Sequence, residues 1–373
     1  MLSFWEKEFY IENCDFAIIG AGYTGLSSAY FLKKKYPNKS VVVFERGIMP
    51  SGASTKNAGF ACFGSLSEIL SDLKTMPENE VFDLVETRFK GLQKIESLLG
   101  RRHIDLNFNG GYELFRKEDS SLFENCAKRI RSINLMLRDI VGQKVYSIEE
   151  EFPTHFGFVG FEQLIFNQYE GQLNPVKMLR SLIKLCSEVG VDIHFNTEIC
   201  ELELEQNAYS LRTKENINIS ANRLILATNG FSSKFIDLDI HPARAQVLIT
   251  KPLPQLSFNS CFHFDEGYYY FRSVENRVLF GGARNLDLNG ENTEKIETTA
   301  EIQNRLEKII RAQILPSVDF EIDLRWAGIM GIGKSKKPIL KKINDHLYCA
   351  ARLGGMGVAI GILTGEKLAN LVD

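Results

Sequence analysis

Apolar residues recur along this chain in two rhythms, and the switches between them set out the elements. Phe16-Ala17-Ile18-Ile19 has no polar break and reads as a buried parallel strand. Leu26, Ala29, Tyr30 and Leu32 then share one side of a helix running to about Lys35. Val41-Val42-Val43-Phe44 is a second apolar run, closed by Glu45. Three-to-four spacing returns over 66–100, first in Leu66, Ile69, Leu70 and Leu73, then in Phe82, Val85, Phe89, Leu92 and Ile95. A turn and strand over Gly110–Phe115 precede a predicted helix over 120–141, and a further helix, 176–189, follows Asn174-Pro175. Strands are predicted at 191–195, 199–204 and 208–213, and a buried one from Arg223 ends at Asn229-Gly230. Short strands at 245–250, 268–272 and 278–281 suggest an antiparallel sheet. A charged amphipathic helix over 294–311, a strand over Leu347–Ala351, a turn over Gly354–Gly357 and a helix from Val358 to Leu371 close the chain. Strand, glycine turn and helix therefore stand at both ends.

The first of those turns is Gly20-Ala21-Gly22-Tyr23-Thr24-Gly25, a G-x-G-x-x-G with a strand before it, a helix after it and Glu45 twenty positions beyond. Gly20 permits the tight turn, Gly22 lets a pyrophosphate approach the backbone, and Gly25 lets helix and strand pack closely. The helix N-terminus offers unpaired N–H groups and partial positive charge to phosphates. Glu45 is suited to accept hydrogen bonds from both hydroxyls of an adenosine ribose, and its charge disfavours a 2′-phosphate. Residues 51–59 are rich in glycine, small residues and hydroxyls, which suits either a segment laid along an extended ligand or an ordinary polar loop.

Composition narrows the classes. The chain has 373 residues, 44% apolar and 24% charged, enough for two domains or one large one. A net charge of −3 gives no sign of nucleic-acid or anionic-membrane binding. No apolar run approaches the roughly 20 residues of a membrane helix. Residues 1–8 are too acidic for a signal peptide. The seven cysteines are scattered without a C-x-x-C pair, which points to reduced thiols in the cytoplasm and against a zinc site. Cys186, Cys200 and Cys349 read as buried small hydrophobes.

Four separated patterns resemble the D-amino-acid-oxidase-like flavoproteins, of glycine oxidase, sarcosine oxidase and gamma-glutamylputrescine oxidase type. They are Ile18–Ala29, Phe44-Glu45-Arg46 with Ser51-Gly52-Ala53-Ser54, Leu226-Ala227-Thr228-Asn229-Gly230, and Tyr348–Leu363 with its turn Gly354–Ala359. The resemblance implies an α/β fold, α+β overall. A Rossmann-like FAD-binding domain would be assembled from residues 11–68, 168–230 and 325–373. A substrate domain of residues 69–167 and 231–324 would be built around an antiparallel sheet. It implies noncovalent FAD held by Gly20, Gly22, Tyr23, Thr24, Gly25, Glu45, Arg46, Ser54, Thr55, Asn57, Ala58, Gly59, Ile199, Ala227, Thr228, Gly230, Gly355, Met356, Gly357 and Val358. No cysteine stands at 328–347, where relatives with a covalent flavin carry theirs.

The implied activity is oxidation of a C–N bond in a small amine or amino-acid derivative, by hydride transfer to flavin N5 and hydrolysis of the imine. Oxygen or a quinone would be the electron acceptor. Hydroxy-acid oxidation stays open as an alternative, as does a nucleotide-binding protein without amine chemistry. Met330 follows the Trp326-Ala327-Gly328-Ile329 stretch where relatives carry a carboxylate-clamping arginine, which argues against a simple α-amino acid. Arg352 stands at a position commonly glycine in the family, as a flavin or substrate contact or as a surface ion pair. By period two, Tyr268, Tyr270 and Arg272 share one strand face; they line the pocket, or the tyrosines are core and Arg272 is paired at a domain edge. His263 reads as a structural histidine rather than a catalytic one.

Overall fold

Two eight-stranded sheets carry the molecule, which is a computed structural model describing residues 3–6, 14–149 and 155–373. Residues 11–13, the start of the first expected FAD-binding segment, lie outside these. The chain begins with β1 (Cys14–Ile19), α1 (Tyr23–Lys35) and β2 (Val41–Phe44). Two helices follow, α2 (Leu66–Thr75) and α3 (Glu78–Leu99). The helical pattern expected over 66–100 is two helices, because Pro77 drives Met76 into an extended conformation, ψ 151°. Ser65 starts α2 with a capping box, exchanging hydrogen bonds with Glu68.

β3 (Gly111–Arg116), α4 (Ser120–Val141), β4 (Tyr146–Ile148) and β5 (Phe161–Asn167) lead to α5 (Pro175–Glu188), which Asn174 caps with Pro175 in the first turn. β6 (Asp192–His194), β7 (Ile199–Glu205), β8 (Ala208–Thr213) and β9 (Asn218–Leu226) come next. Cys200 lies on the exposed side of β7 and is not core, unlike Cys186 and Cys349. The second half holds β10 (His241–Thr250), β11 (Cys261–Phe264), β12 (Tyr269–Val274), β13 (Arg277–Gly282), α6 (Ala300–Ile309) and β14 (Ile322–Ile332). β15 (Ile339–Lys342), β16 (Leu347–Ala351) and α7 (Gly357–Leu371) complete the chain.

One sheet runs β15-β16-β9-β1-β2-β6, with β8 and β7 added on β9. Its centre, from β16 to β6, is parallel, and the apolar runs Phe16–Ile19, Val41–Phe44, Leu224–Leu226 and Leu347–Ala351 within it show no alternation because both faces are covered. The other runs β14-β10-β13-β12-β11-β3-β5-β4 and is antiparallel except where β11 meets β3. Its outer face buries an aromatic core, with Phe262, Phe264, Tyr269, Phe271 and Phe280 against α6. Residues 325–332, expected within the third nucleotide-binding segment, form part of β14 at the edge of this sheet.

Helices α1 and α7, from opposite ends of the chain, pack side by side. Gly361 and Gly365, one turn apart on α7, make this approach possible. A Cβ on Gly365 would stand 2.6 Å from Ser27 Cβ, and one on Gly361 2.9 Å from Tyr23 Cβ. The packing sets the two glycine turns, 20–25 and 354–357, at the ends of β1 and β16, with β9 between them.

Candidate active site

A cavity of about 440 Å³ opens where β1, β2, β9 and β16 end, and its far wall is the inner face of the antiparallel sheet. Carboxyl ends of parallel strands are where open α/β sheets bind ligands. Gly20 adopts φ +105°, and a Cβ there would stand 2.9 Å from Ala227 O. At Gly25 a Cβ would be 1.8 Å from Gly20 O, so this glycine serves helix–strand packing and does not line the cavity. Ser54 Oγ accepts the Tyr23 N–H at 3.0 Å, closing the loop over Gly22. Thr24 Oγ1 is buried without a partner among the described residues. Neither N-cap residue, Gly22 of α1 or Met356 of α7, supplies a side-chain cap; Ser54 takes the Tyr23 N–H, and further donors are left at the cavity. Glu45 is fixed by accepting the Ala21 N–H at 3.1 Å and the Gly47 N–H at 3.0 Å, and each oxygen keeps a lone pair.

The 51–59 segment is held in shape rather than loose. Asn57 Nδ2 donates to Ala53 O and Ser54 O, and Asn57 Oδ1 accepts from Gly59 N at 2.8 Å. Trp326 Nε1 donates to Lys56 O at 2.9 Å. Arg272 donates to Ala58 O at 2.5 Å, Gln172 Oε1 at 2.9 Å and Leu173 O at 3.1 Å. Arg272 is thus a clasp outside the cavity, not the pocket residue expected beside Tyr268 and Tyr270, which do line it. Arg352 also stays outside. It adopts φ +59°, the left-handed region that favours glycine, and pairs with Asp239 Oδ2 at 2.7 Å. Thr55 bonds Pro50 O and Gly52 O, and Gly230 packs on Met330 O; neither lines the cavity. The other expected cofactor residues do line it: Gly20, Gly22, Tyr23, Thr24, Glu45, Arg46, Ser54, Asn57, Ala58, Gly59, Ile199, Ala227, Thr228, Gly355, Met356, Gly357 and Val358.

On the sheet wall, Glu113, His263, Tyr270, Gly281, Val247 and Trp326 stand in one cross-strand row. Gly281 has no side chain because the Tyr270 ring lies over it: a Cβ there would be 2.8 Å from Tyr270 Oη. Tyr268 and Tyr270 face the cavity while Tyr269 and Phe271 enter the aromatic core. Burial pushes the Tyr270 hydroxyl up to about 12. Met330 lines the cavity, its sulfur 4.0 Å from where a Gly355 Cβ would stand.

His263 lines the cavity too, with Nε2 3.3 Å from Glu170 Oε2. Burial pulls its pKa down, but the Glu170 hydrogen bond and the charges of Glu170, Glu113 and Glu68 outweigh it and raise His263 to about 9. Glu113 is raised by burial, and it accepts from the Ser67 hydroxyl and N–H. Glu68, Glu170, Lys56 and Arg284 are cavity residues that sequence reading passed over. They come from a helix start, a turn, the end of the short helix Ala53–Lys56 and the turn after β13, and only the tertiary fold gathers them.

The model of the FAD dependent oxidoreductase family matches residues 15–371 of this sequence. The chain belongs to that family. Among its relatives, a probable oxidoreductase OrdL of Haemophilus influenzae is 25% identical, over 97% of this chain and 83% of the relative. Gamma-glutamylputrescine oxidoreductase of Escherichia coli is 21% identical, over 96% and 84%. Solved structures share the fold: glycine oxidase from Geobacillus kaustophilus has a TM-score of 0.77 at 19% identity, covering 96% of this chain and 94% of that one. Iminodiacetate oxidase from Chelativorans gives 0.78 at 19%, covering 96% and 95%. For a member of this family the residues at the cavity fit FAD: a glycine cradle with no room for a Cβ, an orphaned Thr24 hydroxyl, an oriented carboxylate at Glu45 and two uncapped helix starts. Among the described residues no helix is long and apolar enough to cross a membrane.

Proposed function

We propose that this family member binds FAD noncovalently along the cavity and oxidises the C–N bond of a small amine or amino-acid derivative. The observation that carries the reading is the meeting of both glycine turns with the tyrosine wall of the antiparallel sheet in one cavity. FAD, when bound, supplies the acceptor for two electrons and the hydrogen on the carbon beside the nitrogen. The protein's part is to hold the substrate and stabilise charge. Gly355, Met356, Gly357 and Val358 put the uncapped start of α7 at the cavity, where its partial positive charge favours an anion. Tyr270, with its pKa near 12, keeps its proton and acts as a hydrogen-bond donor rather than a base. No side chain needs to take a proton from carbon, because the lone pair of a neutral amine drives the step.

Attachment through cysteine is disfavoured. Cys349 is buried inside β16, and burial holds the Cys62 thiol, at the cavity, well above its usual range. The relatives named above for gamma-glutamylputrescine, glycine and iminodiacetate are enzymes of amines and amino acids, which supports the substrate class. Met330 argues against a simple α-amino acid, since a carboxylate beside its sulfur would lose hydration without gaining a partner.

The test is anaerobic bleaching of the flavin against amines, α-amino acids and hydroxy acids. An amine should reduce it, and faster as pH rises, because an alkyl ammonium loses its proton near pH ~10. Reduction by hydroxy acids alone sinks the reading. Fastest reduction by glycine removes the argument from Met330.

A further inference from the structure

Most cations at the cavity are already engaged. Arg46 stacks on Phe231 at 4.1 Å, and Lys234 pairs with Glu294 at 2.9 Å. Two have neither a carboxylate nor an aromatic partner among the described residues: Lys56, on the 51–59 segment, and Arg284, on the sheet wall.

Arg284 is the better built of the two. Gly282 at φ +119° and Ala283 at φ +61° turn the chain sharply after β13. A Cβ on Gly282 would collide with Tyr268 O at 1.9 Å, and Ala283 N donates to that same oxygen at 2.9 Å. The turn therefore plants Arg284 beside Tyr268. Arg284 Nη2 donates to Asn292 Oδ1 at 2.7 Å, which fixes the plane of the guanidinium. Nε is shut away from solvent with no partner among the described residues. The acids nearby are committed elsewhere: Glu291 to Arg244 and Gln246, Asp265 to Asn285, Asp287 to the Gly290 N–H. Lost hydration draws the Arg284 pKa below its usual range, the mark of a cation with too few partners. Nη1 has no partner among the described residues and is not shut away, so it is the donor that a ligand in the cavity can reach.

We propose that Arg284, beside Tyr268, is the specificity-determining residue that receives a carboxylate of the substrate. Its planar fork matches a carboxylate. This rests on the amine-oxidation reading and extends it. β13 stands two strands, about 10 Å, from β14, so Arg284, just past the end of β13, lies across the sheet from Met330. The favoured substrate is then an amine whose carboxylate is separated from the reacting carbon by several bonds, with its apolar portion toward Met330.

Two measurements test this. In the first, pentanoate is titrated into the FAD-loaded enzyme, with binding read by calorimetry and by the shift of the flavin absorption band. Wild type should bind it. Arg284→Gln should weaken binding about 10- to 100-fold, the range of a charged hydrogen-bond pair. Arg284→Lys should retain part of it, and Lys56→Met should cost less than Arg284→Gln. Matched flavin content and melting temperature establish that each variant folds. No binding by wild type, no loss in Arg284→Gln, or a larger loss in Lys56→Met overturns the proposal. In the second, the apparent affinities of 5-aminopentanoate and pentylamine are compared in flavin reduction. Wild type should favour the former about 10-fold or more, and Arg284→Gln should bring the ratio near one. An unchanged ratio in Arg284→Gln counts against the assignment. If no amine reduces the flavin while pentanoate binding still depends on Arg284, the amine reading falls and the carboxylate site stands.

Discussion

Three acceptors from two chain segments converge on the Arg272 guanidinium, and this charge holds the cavity-lining 51–59 segment to the sheet. Arg272→Ala would leave Ala58 O, Leu173 O and Gln172 Oε1 without their donor in a buried place. We expect a loss of about 3 kcal/mol in urea unfolding, several charged hydrogen bonds at once. FAD affinity should weaken as the loop loosens. A change confined to substrate KM would instead mark Arg272 as a substrate ligand. His263 makes the second prediction. Its pKa is raised from about 6.5 in an unfolded chain to about 9 in the fold. Its contribution to stability is therefore complete below pH 6.5 and disappears as pH rises through 9. Urea midpoints of the FAD-loaded enzyme should fall across that interval, and His263→Gln should flatten the fall. An equal fall in the variant would assign it to another group. These residues also mark how far sequence reaches. Gly20 and Glu45 were legible because the turn and the strand end place them locally. Glu170, Glu113 and Arg284 were not, because register between distant strands brings them to one wall.

At the scale of elements, the crossing of α3 with the start of α7 bears directly on the flavin turn. Gly91 of α3 touches α7 so closely that a Cβ would stand 1.9 Å from Ala359 O. Gly91→Ala must push the helices apart, at about 1–3 kcal/mol for overpacking. The displaced part of α7 is its first turn, so the melting temperature should drop and FAD should dissociate more readily. A variant with unchanged flavin retention would show that the cavity tolerates movement of that turn. The helices and the parallel strands were legible from their spacing alone, and α4 agrees to the residue. β11 was missed because all four of its residues are buried, which erases alternation. β14 was missed because its outer half is exposed on both faces and glycines interrupt its inner half. The helix expected from 294 starts at Ala300 because the charged residues before it run as an exposed connection.

For the whole molecule, noncovalent FAD predicts that acid precipitation leaves all the yellow colour in the supernatant. Colour retained in the pellet would mean a covalent link. A ligand that binds only the folded chain stabilises it by mass action, about 2.7 kcal/mol at a hundredfold excess over Kd. The melting temperature should therefore rise with added FAD, and an unmoved transition would place the flavin on a weakly bound form. The cradle for that ligand is built from α1 and α7, the first and last long helices described, with residues 20–25 and 354–358 meeting at one end of a sheet. During synthesis the opening glycine turn leaves the ribosome hundreds of residues before its counterpart exists. The proposed flavin site therefore forms only after α7 has emerged and docked. Losing the final helix should thus yield a colourless chain, even though every residue of the G-x-G-x-x-G is still there.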